Sequence, residues 1–245
     1  NLGQNFSRAF GISFLDSAGK KDHVWQTSWG LSTRSIGIMV ATHSDDHGLV
    51  LPPRVASTQV VIVPIIFEKN KKAVLKKAAE IKSKLRAFRV YLDDRQLYAP
   101  GWKFHEWELK GIPIRLELGP KDIQKNQVIL FRRDTLKKEI VKISALNKKI
   151  KTVLEDIQKN LYKRALKFLD EHIDSAKNIQ EAKSLVDKGK IAKVNWCATS
   201  SCEDEIKEKT GGAKTLNIQE KEKARGECFN CGKPAKVVVY LAKSY

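Results

Sequence analysis

From residue 58 onward the apolar and polar positions alternate between two periods. VVIVPII at residues 60–66 is an unbroken apolar run of strand length, the pattern of a buried strand. Residues 70–87 then place Val74, Ala78, Ile81 and Leu85 three or four apart among lysines, which predicts an amphipathic helix, and residues 89–92 return to a strand. Strand, helix and strand in that order predict a βαβ unit. A second helix over residues 102–109 closes at Gly111, and strands at 114–118, 128–131 and 140–143 bring the sheet to five. Residues 58–158 therefore read as an α/β domain built on a mixed five-stranded sheet.

Upstream, Phe10, Ile12 and Phe14 alternate with other residues, and this period of two predicts a strand within residues 6–15; a second is expected over 24–31. Ile36, Met39, Val40 and His43 follow at helical spacing, with Ser32 and Thr33 available as caps, so a strand is expected to run into a helix. The two prolines of LVLPPRVA cannot join a central ladder and mark a boundary, which makes residues 1–57 a separate unit. Downstream, Leu146, Ile150, Val153, Leu154, Ile157 and Leu161 line one side of a long linking helix. Residues 159–245 then offer a helix at 179–188, a strand at 191–196 and a final strand, KVVVYLA, a small α/β tail. The charged insert EDEIKEKTGGAKTLNIQEKEKARGE reads as a mobile loop or a minor helix.

Charge narrows the function. Against 28 acidic residues stand 46 basic ones, a formal charge of +18, which predicts a polyanionic partner, with nucleic acid the first candidate. A membrane is excluded as a spanned medium, because no segment approaches the roughly 20 apolar residues that a helix needs to cross it. The chain opens on Asn1 in sequence that reads as structured, without a basic-then-apolar leader, and is expected to be a fragment of a cytoplasmic protein.

All four cysteines fall near the end, as Cys197-x4-Cys202 and Cys228-x2-Cys231. Paired close spacings in a reducing compartment favour a metal over disulfides, and Cys228-Phe-Asn-Cys231-Gly232-Lys233 has the form of a zinc knuckle. Four thiolates close the coordination shell, so the expected zinc is structural, since a catalytic one keeps a position open for water.

Three strings together, Trp29-Gly30-Leu31-Ser32-Thr33-Arg34, GLVLPPRVASTQVVIVPI and GWKFHEWELKGIPIRLELGPKD, resemble the prolyl-tRNA synthetases of archaea and the eukaryotic cytoplasm. The resemblance covers essentially the whole chain. It implies the end of a class II antiparallel (α+β) catalytic domain over residues 1–57, an anticodon-binding domain over 58–158 and a zinc-binding C-terminal domain over 159–245. WGLSTR is similar to the third class II motif, so Arg34 is expected to lie against ATP, Ser32 to contact the nucleotide, and Trp29 and Gly30 to wall the proline pocket. A planar guanidinium can stack on adenine while staying near the triphosphate, which a lysine does less well.

For tRNA the resemblance assigns Phe104, Glu108 and Arg115 to anticodon bases. A carboxylate accepts from the donor edge of guanine, arginine bridges its acceptor edge, and a phenyl ring stacks. Lys137, Lys138, Arg132 and Arg133 are looser candidates, suited equally to phosphate attraction, whereas Trp102 and Trp107 are expected in the core. Tyr245 is expected to dock near the catalytic domain. For the full-length enzyme the resemblance implies ATP-dependent attachment of proline to tRNA(Pro) through prolyl-adenylate, aided by Mg2+, in a homodimer. The first and second class II motifs are not in this chain, which puts catalysis by it alone in doubt.

Three readings compete. A non-catalytic tRNA-binding paralogue has little reason to keep Arg34 inside an intact WGLSTR. A synthetase for threonine, histidine or glycine does not account for LVLPPRVA and the cysteine tail. A zinc-ribbon nucleic-acid binder leaves the long α/β match unexplained.

Overall fold

A computed structural model describes residues 1–243 of the protein. The N-terminal stretch holds helix α1 (Asn5–Ala9), an antiparallel hairpin of β1 (Ser13–Leu15) and β2 (Lys21–His23), and helix α2 (Arg34–His43). Both strands expected here need correction. The alternation over residues 6–15 is extended only from Ser13, because Phe6 and Phe10 stand one helical turn apart with their rings stacked at 6.3 Å. Residues 24–31 form no ladder: Gln26 makes one isolated bridge to Gly3, and backbone without a neighbouring strand has nothing to hold it extended.

The segment after α2 is fastened to the main domain by close backbone contact. Gly48 (φ +124°) and Gly111 (φ +70°) both adopt left-handed backbone, and a Cβ on Gly111 would lie 2.5 Å from the Leu49 oxygen. Leu49 N donates to Leu109 O at 3.0 Å and Leu51 N to Gly111 O at 3.2 Å. Arg133 completes the joint. It pairs with Asp45 and donates to the carbonyls of Glu108 (3.0 Å) and Gly48 (3.2 Å). Only 1% exposed, it is a structural cation rather than the phosphate contact its position suggests.

The central domain runs β3 (Val60–Pro64), α3 (Lys71–Lys84), β4 (Val90–Leu92), α4 (Pro100–Leu109), β5 (Ile114–Leu118), α5 (Pro120–Gln124), β6 (Gln127–Arg132), β7 (Lys138–Lys142) and α6 (Leu146–Glu171). The sheet order is β4-β3-β5-β6-β7, with β3 parallel to both of its neighbours and the other pairs antiparallel. This is the mixed five-stranded sheet that the pattern predicts. Strand alternation sorts its faces. Val60, Ile62, Ile114, Leu116 and Leu118 pack with α3 and α6, whereas Val61 and Val63 pack with Trp107 and Ile112 on the α4 side. Arg115 and Glu117, alternate residues of β5, share that second face.

The tail adds β8 (Ile173–Ser175), α7 (Ile179–Asp187), β9 (Ile191–Trp196), α8 (Ser200–Lys209), β10 (Ala213–Ile218) and β11 (Val237–Lys243), in a sheet ordered β10-β11-β9-β8. Asn178 caps α7, its Oδ1 accepting from Glu181 N at 2.9 Å. The charged insert is better ordered than its composition suggests. It forms most of α8 and all of β10, because Cys202, Ile206 and Ala213 supply buried anchors to a core of their own with Val194, Val239 and Leu241.

Candidate nucleic-acid interface and metal centre

The register of the central sheet lines up Val61, Arg115, Phe131 and Lys138 as one row across β3, β5, β6 and β7. Side chains of directly opposed residues project to the same face, so these four meet on the α4 side. Arg115, 5% exposed, lies between two rings, its Cζ 4.4 Å from the Phe104 centroid and 4.0 Å from that of Phe131. Its Nε and Nη2 donate to Glu117 Oε1 at 3.2 and 2.9 Å, and Nη1 donates to the Phe104 carbonyl at 3.2 Å. Lys138 Nζ reaches the same carboxylate at 2.9 Å.

Above this layer Glu108 offers a partly exposed carboxylate, 3.6 Å from Arg115 Nη1 and 3.6 Å from His47 Nδ1. Phe104, Glu108 and Arg115, named from the sequence, are thus brought together. The donors of Arg115 are directed inward, which leaves Glu108 and the Phe104 ring as the groups that face outward. Lys137 sits exposed on the turn between β6 and β7, and Arg132 is paired with Asp134 at 3.0 Å. Glu117 and Phe131 went unremarked in the sequence reading. For Glu117 the signal is present: in IRLEL the charged Arg115 and Glu117 occupy alternate positions of an otherwise apolar strand, hence one face, whereas Phe131 joins them only through the pairing of β5 with β6.

A second polar cluster supports α4 from the end of β4. Asp93, fully buried, accepts from Arg95 Nε and Nη2 (2.8 Å each) and from Trp107 Nε1 (2.8 Å), and its backbone oxygen accepts from Lys103 Nζ (3.1 Å). Burial alone would push its carboxyl up, but the hydrogen bonds from Arg95 and Trp107 and the charge of Lys103 bring it down to about 2. Arg95 also pairs with Glu106. Trp107 is core, as expected; Trp102 is not. Its side chain is 47% exposed and stacks on Tyr98, a ring already exposed itself, so packing claims only one of its faces.

The residues assigned to ATP and proline lie on open surface. Arg34 begins α2, and Ser32 turns its carbonyl to Ser35 N at 3.1 Å, closing the first turn. Trp29 is 94% exposed, and the wall expected of it is not closed by the described residues. Tyr245 lies outside the described residues.

In the tail, Cys197 follows β9, Cys202 opens α8, and Cys228 and Cys231 share one turn, where Gly232 takes φ +72° and Cys228 N donates to Lys233 O at 2.7 Å. All four sulfurs lie within 4.8 Å of one another. The Cys202–Cys228 and Cys197–Cys231 separations are both 3.7 Å, against about 3.8 Å for the edge of a tetrahedron with ~2.3 Å zinc–sulfur bonds. Asn230 Nδ2 donates to Cys202 Sγ at 3.3 Å. Burial pushes the Cys202 thiol up to about 12, whereas at Cys197 the hydrogen bonds of Thr199 outweigh burial and bring it to about 6. Four sulfurs so placed, mostly buried, fit one tetrahedral divalent cation.

Comparison with known proteins matches two stretches of the chain. Residues 59–153 match a family model described as "Anticodon binding domain", and residues 179–245 one described as "Prolyl-tRNA synthetase, C-terminal". Over its full length the chain is 47% identical to a "Proline--tRNA ligase" of Alkaliphilus oremlandii and 48% identical to a "Proline--tRNA ligase 2" of Bacillus cereus, covering 51% of each. It superposes over its whole length on a crystal structure of prolyl-tRNA synthetase from Cryptosporidium parvum complexed with L-proline and AMP, with a TM-score of 0.88 and 41% identity, and covers 53% of that chain. The chain therefore spans about half the length of the relatives it matches. No helix among the described residues is long and apolar enough to cross a membrane.

Proposed function

Taking the chain as a homologue of the prolyl-tRNA synthetase portion that holds the anticodon-binding and C-terminal domains, we propose that it is the tRNA-reading part of a proline–tRNA ligase. The observation that carries this reading is the Phe104–Glu108 pair standing over the buried Arg115–Glu117–Lys138 cluster, inside the stretch that matches an anticodon-binding domain. Glu108 accepts the N–H edge of an anticodon guanine, and Phe104 stacks on a base. Arg115 fixes both of them in place, and Lys137 and Lys138 attract the neighbouring phosphates.

Residues 1–57 are read as the end of a catalytic domain. Leu2, Phe6, Phe10, Trp25, Trp29 and Leu31 are exposed there, apolar surface suited to further protein rather than to water. In that setting Trp29 and Gly30 border proline, while Ser32 and Arg34 contact ATP whose triphosphate is held with Mg2+. The domain limits 1–57, 58–158 and 159–245, a cytoplasmic homodimer and the docking of Tyr245 belong to the same reading. So does the archaeal and eukaryotic-cytoplasmic type, supported by the four-cysteine tail and the likeness to the Cryptosporidium enzyme, although bacteria supply close relatives too. Bound by Cys197, Cys202, Cys228 and Cys231, zinc would supply structural cross-linking.

The test is proline-dependent ATP–pyrophosphate exchange and charging of tRNA(Pro) by the full-length protein that contains this chain. Arg34→Ala is expected to abolish exchange with an unchanged Tm; loss of fold along with activity would make Arg34 structural. A full-length protein that binds tRNA(Pro) but neither activates nor transfers proline is the paralogue.

A further inference from the structure

We propose that Trp102 and Tyr98, with the Arg95 guanidinium beside them, form a second RNA contact, a stacking platform for one unpaired base that lies apart from the Phe104–Glu108 site. The inference rests on the tRNA-reading role above. The Tyr98 and Trp102 rings stack at 4.1 Å with 14° between their planes, and Arg95 Cζ lies 5.1 and 5.5 Å from their centroids. Both rings remain substantially exposed, so the stack is presented to solvent rather than buried in a core.

The supporting shell is more elaborate than an incidental surface stack needs. Nε and Nη2 of Arg95 are engaged by Asp93 and Glu106, which anchors the guanidinium beside the two rings. What the two exposed rings offer is a π-face able to take another π-system. Every base has such a face, which makes a platform of this kind tolerant of sequence. Its surroundings suit a nucleotide as well. A crevice of about 220 Å³ adjoins the stack, with Pro64, Lys71, Arg95, Tyr98 and Lys103 among its lining. It opens beyond the carboxyl ends of the parallel strands β3 and β4, the side on which ligands usually bind in such sheets. With Lys103 held by Asp93, Lys71 is the cation available there to a phosphate.

Geometry separates the platform from the guanine-facing site. Trp102 and Phe104 stand two positions apart on α4, about 200° around the axis, and Trp102 and Glu108 are about 9 Å apart along it. One RNA loop running along α4 from its first turn to its last can touch both. The platform supplies affinity and Glu108 supplies discrimination.

The experiment uses fluorescence anisotropy of a labelled 17-nucleotide RNA hairpin carrying a UGG anticodon, and the same hairpin with both guanines changed to adenine, titrated with this 245-residue chain. Trp102→Ala is expected to weaken both hairpins alike, roughly 5- to 150-fold, while Trp102→Phe keeps most of the affinity. Glu108→Gln should instead erase the preference for the UGG hairpin. Unchanged affinity in a folded Trp102→Ala chain overturns the platform and leaves the guanine-reading site standing. Equal weakening by the Ala and Phe variants with a matching fall in Tm assigns Trp102 to the fold and overturns it too. If the unaltered chain binds neither hairpin, both the platform and the tRNA-reading role fall.

Discussion

Arg115 and Glu117 show how a charged pair is kept inside a strand whose neighbours are all apolar. The guanidinium has two phenyl faces, a carboxylate and a carbonyl around it, so its charge is compensated at every side that water would otherwise occupy. Removing one partner of such a pair strands the other. Glu117→Ala is accordingly expected to lower stability by about 3 to 5 kcal/mol in urea denaturation, and Lys138→Ala, half exposed, by less than about 1 kcal/mol. A small loss from Glu117→Ala would mean that Arg115 finds water instead. Sequence alone made the pair visible as two charges on one face of β5, but nothing in it said that they would bond to each other rather than to a ligand. That distinction depends on the register of β6 and β7, which fixes Phe131 and Lys138 beside them.

Among the elements, α4 bears most of the functional weight, and its seat is a single carboxylate. Asp93 joins β4, Arg95, Lys103 and Trp107, so the helix that presents Phe104 and Glu108 is held through the buried residues that immediately precede them. Asp93→Asn should lower the Tm and cost about 3 kcal/mol or more, because Lys103 loses its counter-charge inside the protein. The pH dependence has a definite sign. The folded carboxyl titrates near 2, below its ordinary value, so the folded state binds fewer protons. Its stabilisation is complete above about pH 4 and disappears as the pH falls toward 2. Comparing acid denaturation of the Asp93→Asn chain with the unaltered one isolates it: the gap between the two stabilities should shrink across that window. Periodicity revealed the helices and the five strands, since long stripes and apolar runs report their own burial. It failed for residues 6–15 and 24–31, where alternation existed without strands to pair with, and for α8 and β10, where a few buried residues anchor a segment of mostly charged ones.

At the level of the molecule two cores are stacked along the chain, one around the five-stranded sheet and one around the cysteine sheet. The second is small and has Cys197, Cys202 and Cys228 among its buried members, so its stability is tied to whatever holds the sulfurs. Chelation with EDTA or a thiol-reactive mercurial should therefore unfold residues 173–243 first and release one zinc per chain, with exchange protection of amides lost from β9 and β11 and retained in β3 and β5. Simultaneous loss in both sheets would show that the cores are not independent.

The joint made by Gly48, Leu49, Leu51, Leu109 and Gly111 carries a consequence for sequence drift. Its hydrogen bonds fix the spacing between two stretches of backbone at both ends, and the two glycines let them touch with no side chain between. A spacer held that way has no slack. One residue inserted between 49 and 51 cannot bulge inward and must break one of the two pairings, whereas the irregular, largely exposed turn at residues 220–224, held by a surface ion pair of Glu222 with Lys193, can change length at less cost. Length, together with glycine at positions 48 and 111, is what this joint selects.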